Sequence, residues 1–236
     1  TPDLTPGDVL GGRYYNFNSG EFNFHPGPIF SNIVLADELN RATPRTQSAF
    51  LEAMSESLVT VESDTYLLPN PFVVIATQNP MDQAGTFPLP DAQLDRFAIR
   101  TSLNLPTREE EVRILQSHMI DEPVLHTQAV CSIDEWQRMT EAVKQVEIHP
   151  DVQCYIVDLV RAVRDRVGTT SQLSPRAALW LQRIAQSLTW LRGGKPFVTP
   201  DVVLELLPAI LIHRCTGAGL SNLQLTSAVA SVKVPT

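Results

Sequence analysis

The sequence predicts an α/β fold, a parallel sheet followed by a helical region, from three observations. Two apolar runs, at 33–36 and 72–76, each stop abruptly at polar residues. A helix-forming segment lies between them, the pattern of a parallel sheet whose ligand crevice lies beyond the carboxyl ends of its strands. After Pro106 almost everything reads as helix. At 236 residues the chain can bury two modest cores. The change of character therefore splits it into an α/β part over 1–106 and an all-α part over 107–236.

In chain order, the first thirty residues are rich in turn formers, and "RYYNFNSGEFNF" alternates polar and aromatic residues around Asn18-Ser19-Gly20. That predicts a β-hairpin. Ile33 to Ala36 is too short for a helix and predicts a strand covered on both faces. Thr43-Pro44 opens a helix, with threonine capping free amides and proline in the first turn; Ala49, Phe50, Ala53 and Met54 give it an apolar stripe. "LVTVESDTYLL" predicts a second hairpin turning near Ser63-Asp64, "FVVIATQNP" a second parallel strand, and "RFAIRTSLNLP" a third strand ending at Pro106.

Beyond Pro106, Thr107 with Glu110 and Ser132 with Glu135 have the spacing of capping boxes that start helices. "VQCYIVDLVRAVRDRV" predicts a further helix. Ser174-Pro175 opens the next, with Ala177, Leu181, Ile184, Leu188 and Leu191 on one face and Gly193-Gly194 as its stop. Thr199-Pro200 opens the last clear one, from Asp201 to about His213.

Composition narrows the function classes. Hydrophobic content of 43% with 19% charged residues is ordinary for a globular protein, and no apolar run approaches the roughly 20 residues of a membrane helix. A net charge of −8 argues against a broad nucleic-acid surface, which needs a cationic excess. Cys131, Cys154 and Cys215 form neither a disulfide framework nor a zinc spacing, and the five histidines are scattered. A reducing compartment, the cytoplasm, is expected. The first residues lack the basic and apolar stretches of a signal peptide and an initiating methionine, which reads as a fragment or a processed chain.

The chemistry-bearing residues sit at strand ends. Asp37 and Glu38 are adjacent carboxylates at the carboxyl edge of the predicted sheet, where a phosphate-bound Mg²⁺ would sit. Asp37 would help hold the metal and Glu38 would orient and deprotonate an attacking water. Equally, both acids could complement the amino end of the next helix. Asn79, at the end of the second strand, can hydrogen-bond a terminal phosphate oxygen and that water, or simply occupy a turn before Pro80. Arg96, just before the third strand, is accounted for locally by a salt bridge with Asp95 or another acid. Arg176 lies in the first turn of a helix, where a cation is disfavoured unless an anion is near.

Four segments in order, "GPIFSNIVLADELNRATPRTQSAFLEAM", "FVVIATQNP", "FPLPDAQLDRF" and "SPRAALWLQRIAQSL", resemble the MoxR family of AAA+ ATPases along almost the whole chain. The resemblance implies that "IVLADE" is the Walker B strand, with the metal role on Asp37 and the base on Glu38. It implies sensor 1 at Asn79, sensor 2 at Arg176 in a helical lid, and an arginine finger at Arg96 that reaches a neighbouring subunit's nucleotide. ATP and Mg²⁺ follow as cofactors, and a homo-oligomeric ring, a hexamer, as the assembly. The implied activity is ATP hydrolysis coupled to chaperone-like remodelling or maturation of a partner complex, or to metal-cofactor insertion, often with a von Willebrand factor A domain protein. The two hairpins match the family's inserts, which in related rings project toward partners or the pore.

The sequence contains no phosphate-cradling G-x-x-x-x-G-K-[ST]; Lys195 follows two glycines, but Pro196 takes the Ser/Thr position. In the family this loop lies upstream of the segment matching "TPDLTPGDV". The chain is therefore expected to lack the first strand and the loop, to bind ATP weakly or not at all alone, and to associate or aggregate through exposed strand edges. The rival expectation is a non-hydrolysing adaptor or structural subunit of such a ring. A DNA-acting ring ATPase is disfavoured by the acidic balance.

Overall fold

A computed structural model describes residues 4–79, 85–118, 123–168, 173–193 and 196–235. Thr5 and Asp8 close a capping box over α1 (Pro6–Leu10), a short helix absent from the expectation of a turn-rich start. The first hairpin follows, β1 (Gly11–Asn16) against β2 (Glu21–Pro26), with Tyr15 opposite Phe22. Gly11 has a positive φ of 85°, and a Cβ there would lie 2.1 Å from the carbonyl oxygen of His25, so only glycine fits this entry to the hairpin.

β3 (Ile33–Ala36) pairs in parallel with β6 (Val73–Ala76), register Ile33 to Val73 through Ala36 to Ala76. The connection contains α2 (Pro44–Glu56), capped by Thr43, and the hairpin β4 (Leu58–Val61) with β5 (Asp64–Leu67). Phe24 stacks on Tyr66 at 4.0 Å and Arg13 pairs with Asp64, so the two hairpins lean on each other. Ala49, Phe50 and Ala53 are buried as expected, with Met54 packed beside them.

The strand reading needs two corrections. β3 is covered on one face only: Val34 and Ala36 are buried, whereas Ile33 and Leu35 are 52% and 66% exposed, because side chains alternate with period two and no described element packs outside the sheet. The third predicted strand does not form. Backbone groups of residues 97–100 are taken by the helical region instead: the Phe97 carbonyl accepts from Arg214 Nη2 at 2.6 Å, and the Arg100 amide donates to Ala209 at 2.9 Å. Extended chain without a ladder partner among the described strands is not a β-strand.

A turn of helix, α3 (Asp91–Leu94), ends the α/β part. The helical region holds α4 (Arg108–Ser117) and α5 (Ile133–Lys144), each with the predicted capping box, then α6 (Pro150–Val167), α7 (Arg176–Arg192) and α8 (Pro200–Leu211), whose end tightens into a 3-10 turn, Ile212–Arg214. On α7 the fully buried line is Ala177, Leu181, Ala185 and Thr189, steps of four; Leu191, placed on that face by the sequence, is 72% exposed because it falls two positions past the line. α8 is not the last helix: Ser221 and Gln224 cap α9 (Asn222–Val229). Buried apolar residues form two clusters, one around Ile29, Val34, Leu39 and Phe50, the other around Ile156, Leu159, Leu181 and Ile210.

Candidate functional site

The carboxyl rim of β3 and β6 is organised by Thr77. Because Ala36 faces Ala76, the next residues of the two strands meet. Thr77 Oγ1 donates to Asp37 Oδ1 at 2.6 Å and accepts from the Glu38 amide at 2.8 Å, while the Leu39 amide donates to the Thr77 carbonyl at 3.0 Å. One hydroxyl thus fixes both the acid side chain and the backbone of its neighbour. Oδ2 of Asp37 has no hydrogen-bond partner among the described residues, and the side chain is exposed.

Glu38 adopts a left-handed backbone, φ 49° and ψ 48°, which turns the chain off the strand. Such a conformation costs a non-glycine residue about 1 kcal/mol and is held by surrounding contacts. The following turn is pinned by buried Gln47 of α2, whose amide donates to the carbonyls of Leu39, Ala42 and Phe87. Arg41 Nε lies 3.2 Å from the Glu38 carboxylate. A cleft bordered by Val9, Pro28, Val34, Thr46 and Phe50 opens against Asp37 and Glu38. The other main cavity, between the amino ends of α6 and α8, is lined by Glu147 and Asp151 and lies away from these acids.

Asn79 is exposed on the same rim, two residues past Thr77. Arg96 and Arg176 sit elsewhere, and among the described residues no hydrogen bond or ion pair joins either to Asp37 or Glu38. Arg96 does not pair with Asp95; its Nε donates to Ser55 Oγ at the end of α2, 2.9 Å away. Asp95 is buried and turns to the helical region, accepting from Arg214 Nε at 3.1 Å and from Ser174 Oγ at 2.6 Å. Ser174 Oγ also accepts the Arg176 amide at 3.1 Å, which seats Arg176 at the start of α7. Nearby, Asp91 accepts from Thr216 Oγ1 and from the Gly217 amide, a second tie between α3 and the helical region.

Arg214 is 1% exposed; burial pushes its pKa down while Asp95 opposes the shift. His213 beside it is lowered to about 4, first by burial and then by the Arg214 charge. Sequence reasoning passed over Thr77, Gln47, Asp95, Ser174 and Arg214 as functional positions. Thr77 could have been found, since it is the residue level with Asp37 once the two strands are paired; the partnership of Asp95 with Arg214 spans 119 positions and has no local signal.

Comparison with known proteins identifies the family and the two regions of the fold. Residues 1–99 match the family model described as ATPase family associated with various cellular activities (AAA), and residues 161–231 match an AAA lid domain. The chain is 41% identical over 214 residues to the uncharacterized protein YeaC of Bacillus subtilis, covering 91% of this chain and 67% of that protein. It is 37% identical over 223 residues to the chaperone MoxR1 of Mycobacterium tuberculosis, covering 91% of this chain and 58% of that protein. Against the protein MoxR of Methylorubrum extorquens the figures are 24% identity, 91% and 68%. The chain thus spans about two thirds or less of the length of these relatives. A crystal structure of a putative ATPase from Cytophaga hutchinsonii superposes with a TM-score of 0.85 at 35% identity, covering 100% of this chain and 76% of that one. With an α/β core joined to a helical lid, and with relatives of this closeness, the chain belongs to the MoxR family of AAA+ ATPases.

Proposed function

We propose that this chain supplies the Walker B, sensor and arginine-finger parts of an ATP-hydrolysing site in a MoxR-type ring subunit. In this reading hydrolysis drives chaperone-like remodelling or maturation of a partner complex. The observation that carries it is the Thr77 clamp: one hydroxyl fixes Asp37 and the Glu38 amide on the rim that Asn79 shares.

The residues present fit a Mg²⁺ ion. Mg²⁺ takes oxygen ligands, keeps several waters and is typically held by one or two carboxylates plus phosphates; Asp37 offers one oriented carboxylate with an open oxygen. Bound Mg·ATP would supply the phosphoanhydride bond and the Lewis acid. Glu38, at the left-handed turn after β3, takes a proton from the attacking water, and its contact with Arg41 holds the carboxylate in place. Asn79 donates its amide to the terminal phosphate and orients the water. Arg176 neutralises phosphate charge from the lid, and Arg96 does so in the neighbouring subunit.

The same reading gives a homo-oligomeric ring, a hexamer, working in the cytoplasm with a von Willebrand factor A domain protein or another client. Three free cysteines accord with that compartment. The rival is a non-hydrolysing adaptor or structural subunit of such a ring; these 236 residues contain no G-x-x-x-x-G-K-[ST] sequence, and the chain by itself is proposed to bind ATP weakly or not at all. The deciding experiment is Glu38→Gln in the full-length gene product: nucleotide binding should persist while turnover falls about 10²–10⁴-fold, the usual yield of a general base. Undiminished turnover removes Glu38 from its role; no turnover and no nucleotide binding by the unsubstituted protein would favour the adaptor.

A further inference from the structure

The two arginines that act on nucleotide in the reading above are joined through three hydrogen-bonding atoms. Arg96 follows Asp95 directly. Asp95 Oδ2 accepts from Ser174 Oγ at 2.6 Å, and Ser174 Oγ accepts the Arg176 amide at 3.1 Å. The other oxygen, Oδ1, is taken by Arg214 Nε at 3.1 Å, and Arg214 also binds the carbonyls of Asp95 and Phe97, at 3.3 and 2.6 Å. Arg96 itself is anchored on the core side by Ser55. The Asp95 turn is therefore the point where core and lid share one buried carboxylate, 6% exposed, with Arg96 next to it in the chain and the Arg176 amide reached through Ser174.

We propose that Asp95 and Ser174 are positioning residues that relay lid movement to the arginine finger. Arg176, drawn toward a nucleotide in its own subunit, shifts the amino end of α7. Ser174 passes that shift to Asp95, and the turn carrying Arg96 moves with it toward the neighbouring subunit's site. Arg214 gives the turn a fixed purchase on the lid, so the shift is transmitted and not absorbed. Neither positioning residue needs to touch nucleotide. Buried, fully paired polar groups of this kind hold discrete arrangements rather than sliding continuously.

This inference rests on the proposed roles of Arg96 and Arg176, and its test separates the two. In the full-length gene product, Ser174→Ala removes the bridging hydroxyl alone, and Ser174→Thr restores it. The expected result for the alanine variant is an ATP affinity within about twofold of the unsubstituted protein, a kcat reduced about tenfold or more, and a Hill coefficient for ATP falling toward one. The threonine variant should recover kcat and cooperativity. Amide exchange gives a second readout in the present chain, where Ser174→Ala should speed exchange over residues 95–98 without changing Glu38. Arg96→Ala and Arg176→Ala serve as references. If both lower turnover while Ser174→Ala leaves kcat, cooperativity and exchange unchanged, the relay is wrong and the site reading stands. If neither reference variant affects turnover, the arginine roles fail and the relay falls with them.

Discussion

Thr77 donates its hydroxyl to Asp37 across the β3–β6 rim at 2.6 Å while receiving the Glu38 amide. Removing that hydroxyl should release both acids at once. For Thr77→Val we expect a modest loss of stability, about 1 kcal/mol, because a hydrogen bond to a charged group is worth roughly 1.5–3 kcal/mol when protected and this rim is exposed. The larger effect should be local: amide exchange at Glu38 should accelerate by at least tenfold, and Thr77→Ser should restore protection. Unchanged exchange in the valine variant would show that Gln47 and the turn after Glu38 suffice to hold it.

The elements that make this clamp were readable in the sequence: two short apolar strands ending in polar residues, a Thr-Pro helix start between them, and two hairpins at the predicted turns. The clamp was not, because Thr77 becomes informative only once Ala36 is set opposite Ala76. The failures share a cause as well. Residues 97–106 have strand-like composition, but forming a strand requires a neighbour, and Arg214 of the lid takes the carbonyls that a ladder would use. Leu191 has the right residue type and the wrong angle on α7. The site residues named from the sequence lie on two separate structures, a rim and a core–lid junction, and a linear pattern carries no distance between them.

At that junction, Arg214→Met should be strongly destabilising. It leaves the Asp95 carboxylate buried with only Ser174 to bind it, and stranding one member of a buried pair typically costs about 3–5 kcal/mol. The double variant Asp95→Asn, Arg214→Met should lose less than the sum of its parts, since the residues share one contact. Urea unfolding monitored by tryptophan fluorescence, with Trp180 and Trp190 both packed against the lid core, reads this directly. Strict additivity would mean that the 3.1 Å contact contributes nothing.

His213 predicts an acid-sensitive stability. Its pKa falls from 6.5 to about 4 on folding, with burial the main cause and the Arg214 and Arg100 charges also acting against protonation. His213 Nε2 lies 3.0 Å from the Phe97 carbonyl and 2.9 Å from Arg214 Nη1, and the neutral ring can donate to the first or accept from the second. Between those two values the unfolded chain binds a proton that the folded chain refuses, so stability is complete above pH 6.5, falls as pH drops through the window, and levels off near pH 4. The integrated loss is about 3 kcal/mol by linkage. His213→Gln, which does not titrate, should flatten the pH profile of unfolding free energy in this interval. An equally steep profile in that variant would assign the acid sensitivity to other groups.

The outer face of the β3–β6 pair predicts how the chain behaves at concentration. Ile33, Leu35, Val73 and Ile75 are 52%, 66%, 37% and 51% exposed and lie side by side because the register sets Ile33 beside Val73 and Leu35 beside Ile75. Parallel strands are ordinarily covered on both faces, and contiguous exposed apolar surface next to unpaired strand edges is a template for self-association. Static light scattering of this chain should show mass rising with concentration in the micromolar range. Leu35→Lys with Ile75→Lys should suppress that rise while leaving the melting temperature within a few degrees, since neither side chain contributes to the buried cluster around Ile29 and Phe50 and surface substitutions away from special features change stability little. A species that stays monomeric at every concentration without the lysines would show that these four side chains are too small a patch to drive association. Association that persists in the lysine pair would move the contact to another exposed apolar stretch, such as Leu103 and Leu105 at 96% and 92% exposure or Phe17 and Phe22 at 90% and 65%.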